Sequence, residues 1–301
     1  MRTFSSPVFA AIAETLPPSI FDKPERHPLL LRSISTQEDS VKFKAQPGTV
    51  YLVGAGPGDP GLLTVRALGL LQTADVILPD DLVSDEVLRM ANPDAKIIPV
   101  GKRSGRPTIT QNGIHALMIE HAQAQRSVLR LKSGDPLIFG RAGEEMGALR
   151  EARIPFEVVP GITAALAVAA DLKTPLTDRN GASKLILATA HHAAGKFASM
   201  SGWDGSSPQE ATLAIYMPGR DFATLAKELI QSGVSPQTPC IAVSKAISPD
   251  QRVVSISVEG LGAAQIGPAP VLLLIGRAIQ LPEITEQLEQ FQHEDLEYMG
   301  Q

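Results

Sequence analysis

The sequence predicts an α/β protein of two successive units, the first on a largely parallel sheet and the second on a mixed one. Three observations carry this expectation. From residue 49, short apolar runs alternate with amphipathic stretches, the βαβα rhythm of a layered parallel sheet. After about residue 172 strand-like runs crowd together and helical patterns thin out. Two turns of one grammar, Gly58-Asp59-Pro60 and Gly134-Asp135-Pro136, each follow a strand candidate.

In the first unit, strands are expected at 49–53, 74–78, 96–100, 127–131 and 156–159. After the first strand a helix is expected to start at Asp59-Pro60, because Asp is a good N-cap and Pro suits the first helical position. Its apolar residues are Leu62, Leu63, Leu68 and Leu71. Residues 110–124 carry Ile114, Leu117, Met118 and Ala122 at helical spacing. In the second unit, 184–190, 211–217, 240–244, 253–258 and 271–276 read as strands. Residues 221–232 place Phe222, Leu225, Leu229 and Ile230 on one helix face, and Gly233 stands where a left-handed C′ residue belongs. Residues 193–209 read as an exposed loop. The expected organisation is an irregular extension over 1–46, one α/β domain over 47–170, another over 171–282 and an acidic tail over 283–301.

Composition excludes several classes. Hydrophobic residues make up 44% of the chain, yet no run of about 18 apolar residues exists, so no membrane span is expected. The formal net charge of −5 and 4% aromatic content argue against nucleic acid as the partner. Cys240 is the only cysteine, so no disulfide framework forms and a reducing, cytoplasmic setting is expected. The histidines show no metal-ligand spacing with it. His191 and His192 are neighbours on a strand candidate, and neighbours there point to opposite faces. No metal is expected.

"YLVGAGPGDPGLLT" (51–64) resembles a nucleotide loop but breaks its rules. Gly54, Gly56 and Gly58 alternate, so the third glycine falls one place early for the dinucleotide fingerprint. Pro57 removes a backbone donor where a pyrophosphate needs one, and no Walker lysine follows. The second turn, in "SVLRLKSGDPLIFGRAGEE" (127–145), repeats strand, Gly-Asp-Pro and helix. In an open parallel sheet both turns leave carboxyl ends of strands, where ligands bind. The pair fits an adenosyl ligand without phosphates.

At these residues the chain resembles the tetrapyrrole methyltransferases, and within them the enzymes that methylate uroporphyrinogen III. The resemblance runs from about Val50 to Ile279, on "VYLVGAGPGDPGLLT", "DDLVS", "VGKRSG", "RLKSGDPLIFGRAGEE", "FEVVPGITAA", "PLTDR", "YMPG" and "VLLLIGRAI". It implies S-adenosyl-L-methionine between two α/β domains, usually in a homodimer. It also implies methyl transfer to C2 and then C7, giving precorrin-2 for sirohaem and cobalamin, and S-adenosyl-L-homocysteine as co-product. The 46 residues ahead of the match are too few for the dehydrogenase–chelatase domain of longer members.

By this resemblance Pro57 lies against the cofactor, and Ser133, Gly134, Asp135 and Ile138 form a second wall. Thr163 and Ala164 contact it at a helix N-terminus, Met217 adds an apolar contact, and Ala246 falls where the family has glycine. The family's acid falls on Asp80 and its lysine on Lys102. These are the catalytic candidates, with Asp81 a rival for the base. Lys102, Arg103 and Arg106 in "GKRSGR", with Arg141 and Arg179, form the basic set for a polycarboxylate substrate, since arginine grips carboxylates bidentately.

The chain departs from the pattern in several places. Pro79-Asp80-Asp81 replaces Tyr-Asp and a basic or neutral residue. Ser133 replaces glycine, Asp178 a histidine, and Ser244-Lys245-Ala246 the Glu-Asn-x-Gly segment. Two other readings follow: methylation of another precorrin, or a silent relative that keeps the cofactor cleft.

Overall fold

The computed structural model describes residues 43–101, 109–179, 181–190 and 210–279. The expected loop at 193–209, the acidic tail and nearly all of the expected N-terminal extension lie outside the described residues. So do Lys102, Arg103, Arg106, His191 and His192.

The first sheet is wholly parallel, with strand order β3-β2-β4-β1-β5. Its strands are β1 (Val50–Gly54), β2 (Val76–Pro79), β3 (Lys96–Ile97), β4 (Val128–Lys132) and β5 (Phe156–Val159). Four helices follow those strands: α1 (Val65–Leu71) and α2 (Asp85–Leu88), then α3 (Gln111–Gln123) and α4 (Ala142–Glu151). Period-two alternation sorts the strand residues. Tyr51, Val53, Ile77, Leu129 and Leu131 face α1 and α2. Val50, Leu52, Val76, Leu78 and Val128 face α3 and α4. Both faces are covered, which is why these strands read as continuous apolar runs.

The second sheet, order β6-β7-β10-β8-β9, is mixed. Strand β6 (Lys184–Thr189) runs parallel to β7 (Ala211–Tyr216), while β10 (Val271–Ile275) pairs antiparallel with β7 and with β8 (Pro239–Ser244). Strand β9 (Arg252–Ser257) closes the edge antiparallel to β8. Helix α6 (Phe222–Gln231) buries Leu225 and Leu229 on one face of this sheet. Helix α5 (Ala164–Asp171) follows β5 in the chain, yet it packs Ala165 and Val168 against Val243, Leu272 and Leu274 on the opposite face. One helix therefore ties the two sheets together.

Two expectations need correction. Asp59-Pro60 does not start the helix: Asp59 accepts from Gly61 N–H and caps a single 3-10 turn, Pro60–Leu62. The α-helix starts at Val65, capped by Thr64, whose hydroxyl accepts from Ala67 N–H. Strand β3 is shorter than 96–100, although Ile98 and Val100 N–H still donate to Ile77 and Pro79 carbonyls.

Candidate functional site

The strand ends of the first sheet meet at glycines. A Cβ on Gly54, at the end of β1, would stand 2.6 Å from the Gly134 carbonyl oxygen and from the Gly161 backbone. The chains leaving β1, β4 and β5 thus touch backbone to backbone. Beyond that contact the loop that leads into the first Gly-Asp-Pro turn pairs with the second, and both turns line one cleft. Gly56 N–H donates to Gly134 O at 3.2 Å, and Gly134 N–H donates to Gly56 O at 2.7 Å. Both glycines are left-handed, at φ +69° and +67°, a conformation costly for other residues.

Side chains lock this arrangement. The two Asp135 carboxylate oxygens accept from Leu137 N–H at 2.8 Å and from Gly161 N–H at 2.9 Å. Asp135 therefore staples the second turn to the chain leaving β5. Ser84, the cap of α2, accepts from Val87 N–H and donates to the Gly58 carbonyl at 2.6 Å. Across the gap, Tyr216 at the end of β7 pairs its hydroxyl with Thr163 at 2.6 Å and accepts from Ala165 N–H at 3.1 Å. It caps α5 from the second sheet.

These elements enclose a cleft of about 1090 Å3 between the sheets. All nine residues to which the resemblance assigns cofactor contacts line it. Pro57 and Gly134 present the paired turns, Thr163 and Ala164 the start of α5, and Met217 an apolar side chain 48% exposed. Ala246 is not among the positive-φ residues, whereas its neighbours Lys245 and Ile247 are. The family's glycine therefore meets no conformational need here, and alanine fits.

A second cavity of about 600 Å3 adjoins the first and shares Asp81, Leu82, Ser133, Ile138 and Phe139 with it. Asp80, Arg130, Lys132 and Arg141 line it. Arg130 is 2% exposed and gives three hydrogen bonds: to Glu145 at 2.9 Å, Leu78 O at 3.0 Å and Asp80 Oδ1 at 2.5 Å. Lys132 Nζ lies 3.0 Å from each oxygen of Glu145 and 3.9 Å from Asp80 Oδ2. Burial, and then the Arg130 charge, pulls the Lys132 ammonium below the ordinary lysine range. Arg141 grips Glu144 with two hydrogen bonds while facing this cavity. Arg179 is exposed and lines neither cavity. Gly101 packs against the Asp81 backbone, and Lys102, next in sequence, lies outside the described residues.

Charge is divided between the cavities. Among the described residues the cleft is lined by Asp59, Asp81, Asp85, Glu86, Asp135 and Asp250, with Lys245 as the one cation. Among the described residues the second cavity has three cations to two carboxylates. Backbone strain gathers here too. Among the described residues eight non-glycine positions have positive φ; three follow helix ends, and five line the cavities: Phe139, Arg141, Met217, Lys245 and Ile247. Such conformations persist only where the surroundings enforce them. Sequence reasoning assigned nothing to Arg130, Lys132, Glu145 or Tyr216. The available signal was Arg130 and Lys132 at period two in an otherwise apolar strand. Among the described residues no cluster of His, Cys, Asp and Glu could hold a metal ion.

The family model of tetrapyrrole (corrin/porphyrin) methylases matches residues 49–262. The chain is 42% identical over 252 residues to the uroporphyrinogen-III C-methyltransferase of Paracoccus denitrificans, covering 83% of this chain and 88% of that one. It is 41% identical over 239 residues to the chloroplastic S-adenosyl-L-methionine-dependent uroporphyrinogen III methyltransferase of Arabidopsis thaliana, covering 78% of this chain and 64% of that one. It spans about half the length of the siroheme synthases it also matches. Among solved structures, the uroporphyrin-III C-methyl transferase of Thermus thermophilus complexed with S-adenyl homocysteine superposes with a TM-score of 0.66 at 36% identity, covering 76% of this chain and 92% of that one. With the paired turns, the two sheets and these likenesses together, the chain belongs to the tetrapyrrole methylases.

Proposed function

We propose that this protein is an S-adenosyl-L-methionine-dependent uroporphyrinogen-III C-methyltransferase. It methylates C2 and then C7 to give precorrin-2, which serves sirohaem and cobalamin synthesis. The observation that carries this reading is the joining of the glycine loop that leads into the first Gly-Asp-Pro turn to the second such turn by mutual Gly56–Gly134 hydrogen bonds, with an acid-lined cleft on one side and a cation-lined cavity on the other.

The cleft fits the cofactor. Glycine turns allow close backbone approach, Pro57 and Met217 offer apolar contact, and carboxylates suit a sulfonium and an ammonium group. When bound, S-adenosylmethionine supplies an electrophilic methyl. That methyl would suit an electron-rich pyrrole carbon without a protein nucleophile, so the chain's main task would be positioning. Ile138 and Phe139, common to both cavities, stand where methyl donor and acceptor meet. Arg130, Lys132 and Arg141 give substrate carboxylates a cationic wall. The proton lost from the ring system passes to Asp80, whose carboxylate faces the second cavity; Lys102 assists from the segment that follows Gly101. Positioned acid–base groups of this kind contribute about 10²–10⁴-fold. Arg103, Arg106 and Arg179 complete the binding of the substrate rim. The domains divide at 47–170 and 171–282, and the working form is a cytoplasmic homodimer.

The test is incubation with methyl-labelled S-adenosylmethionine and anaerobically prepared uroporphyrinogen III. Two methyls on the pigment are expected. One methyl, or transfer only to precorrin-2, would assign another precorrin methyltransferase. Adenosylhomocysteine binding with no transfer would assign a silent relative. Sedimentation velocity of the full chain checks the dimer.

A further inference from the structure

Four ionised groups, Asp80, Arg130, Lys132 and Glu145, meet at the inner wall of the second cavity, and Glu145 has no place in the reaction proposed for them. Arg130 and Lys132 stand on one face of β4, and α4 brings Glu145 over both. Glu145 is 0% exposed and takes hydrogen bonds from Lys132, Arg130 and Gln111. A buried carboxylate is costly unless paired, and here two cations pair it. Those same cations are the ones that meet Asp80. The set is therefore a chain of alternating charge, Glu145 to Arg130 and Lys132 to Asp80, in which only Asp80 is partly exposed, at 33%.

Resting on the reading of Asp80 as proton acceptor, we propose that Lys132 and Glu145 are a positioning pair that sets the charge felt by Asp80 and so its readiness to accept the proton. The balance is simple. With all four groups ionised the set is neutral. When Asp80 takes a proton, the set gains one positive charge, and Lys132 and Arg130 oppose that gain while Glu145 favours it. Among the described residues the other charged and titratable groups around them are Asp81 beside Asp80, Arg141 and Glu144 at the start of α4, and His115 on α3, which lies 3.3 Å from Gln111 Nε2. Lys132→Met and Glu145→Gln leave these residues in place, although the Glu145 charge also acts on Arg141 and the Lys132 charge on Glu144.

The pH dependence of methyl transfer in the full chain tests this, with adenosylhomocysteine binding as the check that each variant is folded. In Lys132→Met, Asp80 loses a cation, so the acid limb of kcat/KM moves to higher pH by about one unit. In Glu145→Gln, the cations act on Asp80 unopposed, and the limb moves to lower pH. Opposite shifts support the proposal; a purely structural role would slow both variants without moving their limbs apart. Substrate carboxylates titrate identically in every variant and cancel in the comparison. Should Lys132→Met fail to bind adenosylhomocysteine, the near-isosteric Glu145→Gln decides alone: an unmoved or raised limb overturns the proposal. Asp80→Asn separates this inference from the reading beneath it. Turnover of Asp80→Asn at the parent rate overturns both. A loss of about 10²–10⁴-fold together with unmoved limbs in the other two variants overturns only the positioning role.

Discussion

A Cβ on Gly161 would stand 2.2 Å from the Gly134 carbonyl oxygen and 2.8 Å from the Gly54 Cα. Backbone cannot swing aside as a side chain can. Gly161→Ala is therefore expected to cost about 3 kcal/mol or more in urea unfolding and to weaken adenosylhomocysteine binding, because the paired turns must part. Gly134 poses a different problem. A Cβ there meets nothing closer than 3.8 Å, but φ is +67°, so Gly134→Ala should cost only about 1–2 kcal/mol. Cys240 supplies a probe of the second sheet. Burial pushes its thiol up to about 12, so a thiol reagent at pH 8 should label it only as fast as the sheet opens, and at once in denaturant. Rapid labelling of the native chain would contradict that burial. Residue by residue, the sequence was informative where chemistry shows in the residue type. Gly58, Gly134 and Asp135 announced a turn, but Gly161 looked ordinary because its constraint comes from two other strands. Arg130 and Lys132 hid for the opposite reason: charges in a strand of a covered sheet are intelligible only with Glu145 above them.

Helices α3, α4, α5 and α6 end alike. In each, the C″ N–H donates five residues back and the C′ N–H three back: Arg126 to His121, Ile154 to Leu149, Thr174 to Ala169 and Val234 to Leu229 for the outer bond. All four require a left-handed C′ residue, yet only α6 has glycine there. Gln125, Arg153 and Lys173 occupy the others at φ +58°, +55° and +52°. Arg153→Gly and Lys173→Gly should therefore stabilise the protein by about 0.5–1 kcal/mol each, and Gly233→Ala should destabilise it by a similar amount. Measured urea midpoints will rank them. The glycine made the α6 terminus legible in advance; the other three were not, since glutamine, arginine or lysine gives no turn signal. At its start, α6 depends on Asp221, which accepts from Thr224 N–H at 3.0 Å. That bond holds the Asp221 carboxyl below its usual range. A lowered folded-state value means the stabilisation is present above the unfolded value and lost as pH falls through the folded one. The Tm deficit of Asp221→Ala, clear at pH 7, should therefore shrink in strong acid; a deficit independent of pH would deny the cap its charge.

At the scale of the whole molecule, the alternation of strands and helices was enough to foresee both sheets, but not that α5 belongs in packing to the second while following a strand of the first. Periodicity reports which face of a helix is apolar, not which sheet receives it. That helix makes the cleft a joint property of both sheets: its N-terminal Thr163 and Ala164 line the cleft, its Ala165 and Val168 are buried against β8 and β10, and Tyr216 of β7 caps it. A ligand seated there touches the turns of one sheet and the strand ends of the other, so it should stabilise the two together. Adenosylhomocysteine at about one hundred times its Kd adds about 2.7 kcal/mol, roughly 5–10 °C in Tm for a chain of this size. Calorimetry should show the whole transition moving as one. Tyr216→Phe should weaken that coupling, because the Ala165 N–H and the Thr163 hydroxyl lose their partner on the second sheet. The variant is expected to lose about 1 kcal/mol of stability and to bind adenosylhomocysteine less tightly. If the ligand instead raised only one part of a split transition in the parent protein, the cleft would belong to a single sheet and α5 would not be the tie between them.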